Sequence, residues 1–297
     1  MSEVWIDNTR FEPKATDLFG EGGEAEVYKI DKSTVLKLYK TPKHPQFQGG
    51  SPQAIAMRQA VEHRLCQQQS KLKAFPTNLP PRVVSPAKLA KSSQSNSAEI
   101  VGYTMPLIAG GHSLREYSQR AFRESGGISF ADIREIFLDL HNTVESLHQQ
   151  NVVIGDFNPM NVLVANKQAF LLDADSMQFG CFLCSTFCAN YIDPLICQAT
   201  ARTPEMISPH SKTTDWYAFA ILFFECLLYS HPYGGVYKPS EPSKKLGPAQ
   251  RPLHRISVLH PQVKYPTSAV HFSGLPSAML DFYHRLLVKD ERPVFPR

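Results

Sequence analysis

The sequence predicts an α+β chain in two lobes: a small β-rich lobe with one helix over residues 1–108, and a larger helical lobe over 109–297. Three observations carry this expectation. Residues 17–40 alternate runs of β-formers with turn residues, as paired strands do. Residues 130–150 repeat apolar side chains at helical spacing, and 215–229 form a second, almost wholly apolar helix. Between these regions, Ala109-Gly110-Gly111 interrupts both patterns.

Each element follows from its own residues. DLFGEGGEAEVYKIDKSTVLKLYK (17–40) reads as strand, Gly-rich turn, strand, Asp-Lys-Ser turn, strand. Residues 52–70 read as a helix whose buried positions would be Ile55, Met57, Val61 and Leu65. VVSPAKLAK and EIVGYTMPLI flank the polar turn SSQSNS and predict a second strand pair. In FADIREIFLDLHNTVESLHQQ (130–150), Ile133, Ile136, Phe137, Leu140, Val144 and Leu147 share one helical face. QAFLLDAD reads as a strand, 176–214 as irregular, 230–275 as a Pro-rich passage, and 276–290 as a last helix. No internal repeat is present.

Composition narrows the class. At 297 residues, 42% hydrophobic and 20% charged, the chain is long enough for two lobes with a real core. A formal net charge of +4 is too small to argue for nucleic acid or an anionic membrane as partner. The opening MSEVWIDNTR lacks the basic and apolar regions of a signal peptide. The greasiest stretch, 217–229, is short and carries Glu225, so it reads as a buried helix rather than a membrane span. The six cysteines show no secreted disulfide framework, and a reducing cytoplasmic setting is expected.

The chemistry gathers at a few positions. Between two apolar runs, VVIGDFNPMNVLV (152–164) holds Asp156, Asn161 and Pro159, residues that a strand interior does not bury together. A polar hairpin turn would account for them, and so would a site that needs Asp156 and Asn161 side by side. Gly20-Glu21-Gly22-Gly23-Glu24-Ala25 lies between two strand candidates, where glycines let backbone N–H groups approach phosphates. Lys37 follows in the third strand, either as an edge lysine or as a paired one. Glu62, on the first helix, is the single carboxylate between Lys37 and Glu99 and so the candidate partner. Asp173 completes the set, because phosphoryl transfer needs a carboxylate near the attacking hydroxyl and oxygen ligands for hard Mg²⁺.

The ordered series Gly turn, Lys37, Glu62, Asp156, Asn161, Asp173 resembles the protein kinase superfamily over nearly the whole chain. Thr214-Asp215-Trp216-Tyr217 resembles that family's D-x-W-S-x-G-x-x-L helix, whose Asp braces the catalytic loop, and Arg292-Pro293 its late Arg-Pro. The resemblance implies a bilobal kinase fold with ATP and Mg²⁺ (Mn²⁺ as a variant) as cofactors. It implies Asp156 as base, Lys37 with Glu62 on the α- and β-phosphates, and Asn161 and Asp173 on metal. Nucleotide contacts are implied at Gly20, Glu21, Gly22, Gly23, Glu24, Ala25, Val27, Asn158 and Leu163. Aligning Gly110-Gly111 with the post-hinge glycines puts Met105 at the gatekeeper position, with Pro106 and Ile108 facing the adenine.

The pattern also departs from the family. Its H-R-D stands here as Ile154-Gly155-Asp156, so activation through a phosphate docking on that arginine is not expected. Its K-P-E-N stands as Asn158-Pro159-Met160-Asn161, without the lysine that neutralises the γ-phosphate. D-F-G stands as Asp173-Ala174-Asp175, and Ala25 replaces the third loop glycine. G-D-x-N-x-x-N followed by L-x-D-x-D-S-x-Q, with His231-Pro232-Tyr233-Gly234-Gly235, resembles a bacterial branch of eukaryotic-like Ser/Thr kinases. Members of that branch occur fused to helix-hairpin-helix segments, or beside phosphatase and von Willebrand-type partners in tellurite-resistance-type clusters.

Three readings stay open at this stage: a protein Ser/Thr kinase, a nucleotide-binding pseudokinase scaffold, and a small-molecule kinase of the aminoglycoside or choline type. The A-P-E position falls either on Tyr191–Leu195 or on Thr203-Pro204-Glu205, with Glu205 then facing Arg292. Ser185, Thr186, Thr200 and Thr203 are candidate autophosphorylation sites. Cys181, Cys184, Cys188 and Cys197 read as packing residues of this segment, with a four-thiolate Zn²⁺ site as the alternative.

Overall fold

A computed structural model describes residues 3–198, 203–241 and 245–296. Thr200 lies outside the described residues. The chain divides into two compact units: residues up to Ala109 together with Asp173–Asp175, and Gly110–Leu172 together with Ser176 onward. The class is α+β, as expected from the sequence.

The first unit is a seven-stranded antiparallel sheet with one long helix. Its strands are β1 (Val4–Ile6), β2 (Thr9–Phe11), β3 (Leu18–Glu21), β4 (Ala25–Lys29), β5 (Thr34–Tyr39), β6 (Lys88–Lys91) and β7 (Ile100–Pro106). They run in the order β2-β1-β6-β7-β5-β4-β3, so β5 is an interior strand paired on both sides. The β1–β2 hairpin had no counterpart in the sequence reading. It turns on Asp7 and Asn8, both at positive φ (45° and 67°), the backbone a two-residue primed turn requires. Strand alternation gives the sheet two buried faces. Tyr28, Leu36 and Ala90 pack on one, and Tyr39, Ile100 and Tyr103 on the other with Leu72 beyond the helix end.

Helix α1 (Pro52–Lys71) starts on Ser51, whose side chain accepts from Ala54 N at 3.1 Å, with Pro52 at the position proline favours. Its buried positions are Val61, Gln68 and Lys71, with Leu65 partly buried. Ile55 and Met57, expected inside, are exposed. Steps of three and four from Val61 lead to Leu65, Gln68 and Lys71, and the first turns of the helix extend beyond the sheet-facing stripe.

The second unit is helical. It contains β8 (His112–Ser113), α2 (Leu114–Tyr117), α3 (Arg120–Ser125), α4 (Phe130–Gln149), β9 (Val162–Ala165) and β10 (Gln168–Leu171). After these come α5 (Lys212–Leu228), the pair β11 (Val236–Tyr237) and β12 (Val263–Lys264), and α6 (Ser277–Leu287). All six apolar positions predicted for α4 are buried. Ser129 and Asp132 form a reciprocal capping box at its start. Helix α5 packs against it through an aromatic cluster in which Phe219 meets Phe137 edge-on at 5.4 Å. Burial of most α5 residues explains its near-continuous apolar run. No helix of the described residues is long and apolar enough to cross a membrane.

Candidate active site

In the first unit the site is built around Lys37. Its strand neighbours in register are Val27 on β4 and Tyr103 on β7, which puts all three on one face of the sheet. The lysine is buried, and its Nζ pairs with Asp175 Oδ1 at 2.6 Å and with Asp173. Asp175 in turn accepts from Tyr103 Oη at 2.6 Å, Tyr39 Oη at 2.7 Å and Gln68 Nε2 at 3.3 Å. Burial disfavours the Lys37 ammonium, but the charges of Asp173 and Asp175 outweigh it and hold its pKa above the ordinary lysine range. Burial likewise raises the Asp175 carboxyl, yet Lys37 and the donors from Tyr103 and Tyr39 bring it below the usual range.

The expected Lys37–Glu62 pair does not form. Glu62 is exposed, about a hundred degrees around α1 from Val61 and outside the stripe that meets the sheet. Arg64 reaches from that helix to Glu24 of the Gly-rich turn at 2.6 Å. Asp173 takes a left-handed backbone (φ 57°), a conformation that non-glycine residues hold at a cost and that clusters at functional sites.

The Gly-rich turn is held from below. Buried Lys40 donates to Glu21 Oε1 at 2.6 Å, to Gly22 O at 2.8 Å and to Gln46 Oε1 at 2.6 Å, while Gly22 N donates to Ala25 O at 2.9 Å. An added Cβ at Gly20 or Gly23 would meet no protein atom within 4 Å. The packing of the fold therefore does not demand glycine at either position. Along β7, Met105 opposes Val35 and lies on the same face as Tyr103, and Pro106 opposes Thr34. Leu107 N donates to Ser33 O at 2.7 Å, and Ile108 follows half-buried.

In the second unit the site is the loop 154–161. Asp215, at the start of α5, is buried and accepts from Ile154 N at 2.8 Å and Gly155 N at 2.9 Å. His148 of α4 meets the same carboxylate at 2.8 Å. This is the bracing role expected of Asp215. Asp156 then projects from a fixed backbone. Asn158 Nδ2 donates to Asp156 Oδ1 at 2.9 Å, and Asn158 Oδ1 accepts from Met160 N at 2.9 Å. Asn161 Nδ2 donates to Asp156 O at 3.0 Å, which turns its amide oxygen, a hard donor suited to Mg²⁺, to the opposite side. The loop thus brings Asp156, Asn158 and Asn161 together. Leu163 on β9 packs against Gly111, where a Cβ would lie 2.6 Å from its Cγ.

The A-P-E ambiguity resolves on Asp193. Its carboxylate takes both arms of Arg292, at 2.6 and 2.5 Å, while Glu205 is exposed. The packing expected of the four cysteines in this segment holds for Cys184 and Cys197 and not for Cys181. Cys184 and Cys197 are buried, Cys181 is exposed, and all six are free thiols. Burial raises the thiol pKa of Cys184 and Cys188 and pushes that of Cys197 up to about 11. Among the described residues, the ligand-type side chains close enough to share an ion are Glu21, Glu26 and His44, with no cysteine in the group.

Lys40, Arg64, Gln68 and Asp175 escaped the sequence reading. Asp175 alone left a signal, as a second carboxylate in Asp173-Ala174-Asp175.

Comparison with known proteins agrees with this geometry. Residues 93–293 match the family model described as a protein kinase domain. That stretch contains the 154–161 loop, Asp173, Asp215 and Arg292, and begins after the Gly-rich turn and Lys37. The chain is also similar to "Kinase suppressor of Ras A" of Caenorhabditis elegans, 27% identical over 148 residues. That alignment covers 45% of this chain and 19% of the relative, so the chain spans about a fifth of the relative's length. With an Asp-braced loop, a strand lysine held by carboxylates, and a family match over more than half its length, the chain belongs to the protein kinase domain family.

Proposed function

We propose that the protein is an ATP-dependent Ser/Thr protein kinase that uses Mg²⁺, with Mn²⁺ as an alternative, and that it phosphorylates itself. The observation that carries this reading is the loop hung from Asp215, which presents Asp156 beside Asn161 on a rigid backbone. On this reading Asp156 orients a hydroxyl and takes up its proton as the phosphate is transferred. Lys37 supplies fixed positive charge for the α- and β-phosphates, and the open glycines at 20 and 23 leave room for them. Asn161 in the second unit and Asp173 in the first each offer an oxygen donor of the kind a hard divalent cation takes. Such an ion, when bound, supplies charge against the phosphate oxygens. The resemblance of Asp173-Ala174-Asp175-Ser176-Met177-Gln178 and His231–Gly235 to the bacterial branch supports protein hydroxyls as acceptors, with a cognate phosphatase or von Willebrand-type protein as partner. The six free thiols support a reducing, cytoplasmic setting.

One observation favours a second reading, a nucleotide-binding scaffold. At the position of the family's lysine, Asn158 is neutral and spends its amide on Asp156, so it brings no charge to a γ-phosphate. Intact-mass and radiolabel autophosphorylation with Mg·ATP and Mn·ATP decides between them, with Asp156→Asn and Asp173→Ala as controls. Label on the wild type alone supports the kinase. Absent label, with ATP still raising the melting temperature, supports the scaffold. Label retained by Asp156→Asn overturns the assignment of Asp156.

A further inference from the structure

We propose that Asp175 is the residue that positions Lys37, the task expected of the helix glutamate Glu62, and that Asp173 is thereby left for the metal. This rests on the kinase reading above and specifies how its lysine is held.

The two carboxylates on Lys37 are not equivalent. The Asp173 side chain is 28% exposed and that of Asp175 is 4% exposed. Asp173 can therefore meet a ligand from outside, whereas Asp175 faces only protein. The Asp175 carboxylate has both oxygens engaged: Lys37 Nζ and Tyr103 Oη on Oδ1, Tyr39 Oη and Gln68 Nε2 on Oδ2. These donors come from β5, β7 and α1, so one buried anion ties two strands and the helix to the lysine. A buried carboxylate with that many charge-assisted and hydroxyl donors is fixed in place, and so is the ammonium it holds.

Helix α1 offers no carboxylate for the task. One turn before Gln68, on the same face, stands Arg64, a second cation. It is neutralised by Glu24 of the Gly-rich turn at 2.6 Å. That face of the helix therefore presents no free anion, and the lysine takes one from elsewhere in the chain, Asp175. The helix still reads the lysine, through the Gln68 amide and Asp175 rather than through a direct ion pair. Arg64 and Glu24 couple the same helix to the turn that covers the phosphates.

Amine footprinting of the folded full chain tests this without relying on phosphate transfer. Brief treatment with an N-hydroxysuccinimide acetate, followed by peptide mass spectrometry, measures how fast Lys37 is acylated. Wild type is expected to label slowly, Asp175→Asn several-fold faster, and Glu62→Gln at the wild-type rate. In the kinase assay, Asp175→Asn is expected to lose on the order of 10²-fold in kcat/KM for ATP, as misplaced groups do. Should Asp175→Asn not fold, Tyr39→Phe combined with Tyr103→Phe loosens the same carboxylate while keeping both charges, and faster labelling is again expected. Unchanged Lys37 labelling in these variants, or faster labelling in Glu62→Gln, overturns the proposal. A wild type with protected Lys37 that transfers no phosphate refutes the kinase reading and leaves the anchor standing.

Discussion

Arg292 grips Asp193 with both arms of its guanidinium, at 2.6 and 2.5 Å, in a pair whose side chains are 10% and 2% exposed. Ninety-nine residues separate the two in sequence. The Arg292 guanidinium also lies 4.7 Å from the centre of the Tyr217 ring. The pair therefore fastens the segment before α5 to the chain beyond α6. Removing one partner leaves the other charge buried, which costs about 3–5 kcal/mol. Asp193→Asn and Arg292→Ala should each lower the unfolding free energy by that order. Glu205→Gln, at the exposed alternative, should leave it within about 0.5 kcal/mol of wild type. Urea titrations of the three variants check this.

Asn158 occupies the place of a lysine and touches the Asp156 carboxylate instead. Asn158→Ala should lower kcat for phosphate transfer while leaving KM for ATP near wild type, because the lost contact orients the acceptor side of the reaction. Asn158→Asp, which sets a second carboxylate against Asp156, should lower kcat further. Steady-state kinetics at saturating acceptor would separate the two parameters. A rise in KM alone would point to nucleotide contact instead.

Gly155 has φ 76°, and a Cβ there would lie 2.7 Å from Cys184 Sγ. Gly155→Ala thus combines a left-handed alanine, costing ~1–2 kcal/mol, with overpacking worth ~1–3 kcal/mol. A second substitution, Cys184→Gly, should recover the packing part and leave the backbone part. Thermal melts of the single and double variants provide the comparison.

Buried phenols set the alkaline limit of the fold. Tyr39, Tyr103, Tyr217 and Tyr283 are held well above the usual tyrosine range, chiefly by burial. Burial also pushes Tyr233 and Tyr265 up to about 12. In the unfolded chain these groups ionise near ~10. Their contribution is therefore fully present below that pH and is lost as pH rises through the folded values. Stability should be flat with respect to these groups at neutral pH and fall from about pH 10 to about pH 12. Tyrosinate absorbance from these six phenols should rise with loss of helical circular dichroism rather than before it. Ionisation of these six in the folded protein would contradict the picture.

Much of the protein was legible from the sequence because the signals were local. Six apolar residues at helical spacing fixed the buried face of α4, and the Gly-rich turn between β-formers fixed β3 and β4. Asp156, Asn161 and Asp215 pointed to a braced loop, since a strand interior does not bury an Asp, an Asn and a Pro together. Ile55 and Met57 misled because an apolar residue near a helix start is buried only if the helix still faces the sheet there. The β1–β2 hairpin was missed because its strands are three residues each, too short for a periodic signal.

What tertiary structure decided was the pairing of charges. Lys37 and Asp175 are 138 residues apart, and Asp193 and Arg292 are 99 apart. Nothing in the spacing of either pair encodes it. The next carboxylate along the chain after Lys37, Glu62, lost to Asp175 because helix phase turns it to solvent and puts Arg64 and Gln68 on the inner face. Local patterning determines which way each side chain points along its own element; which buried charge it then meets depends on how strands and helices from distant parts of the chain pack, where an unpaired ion is too costly to leave alone.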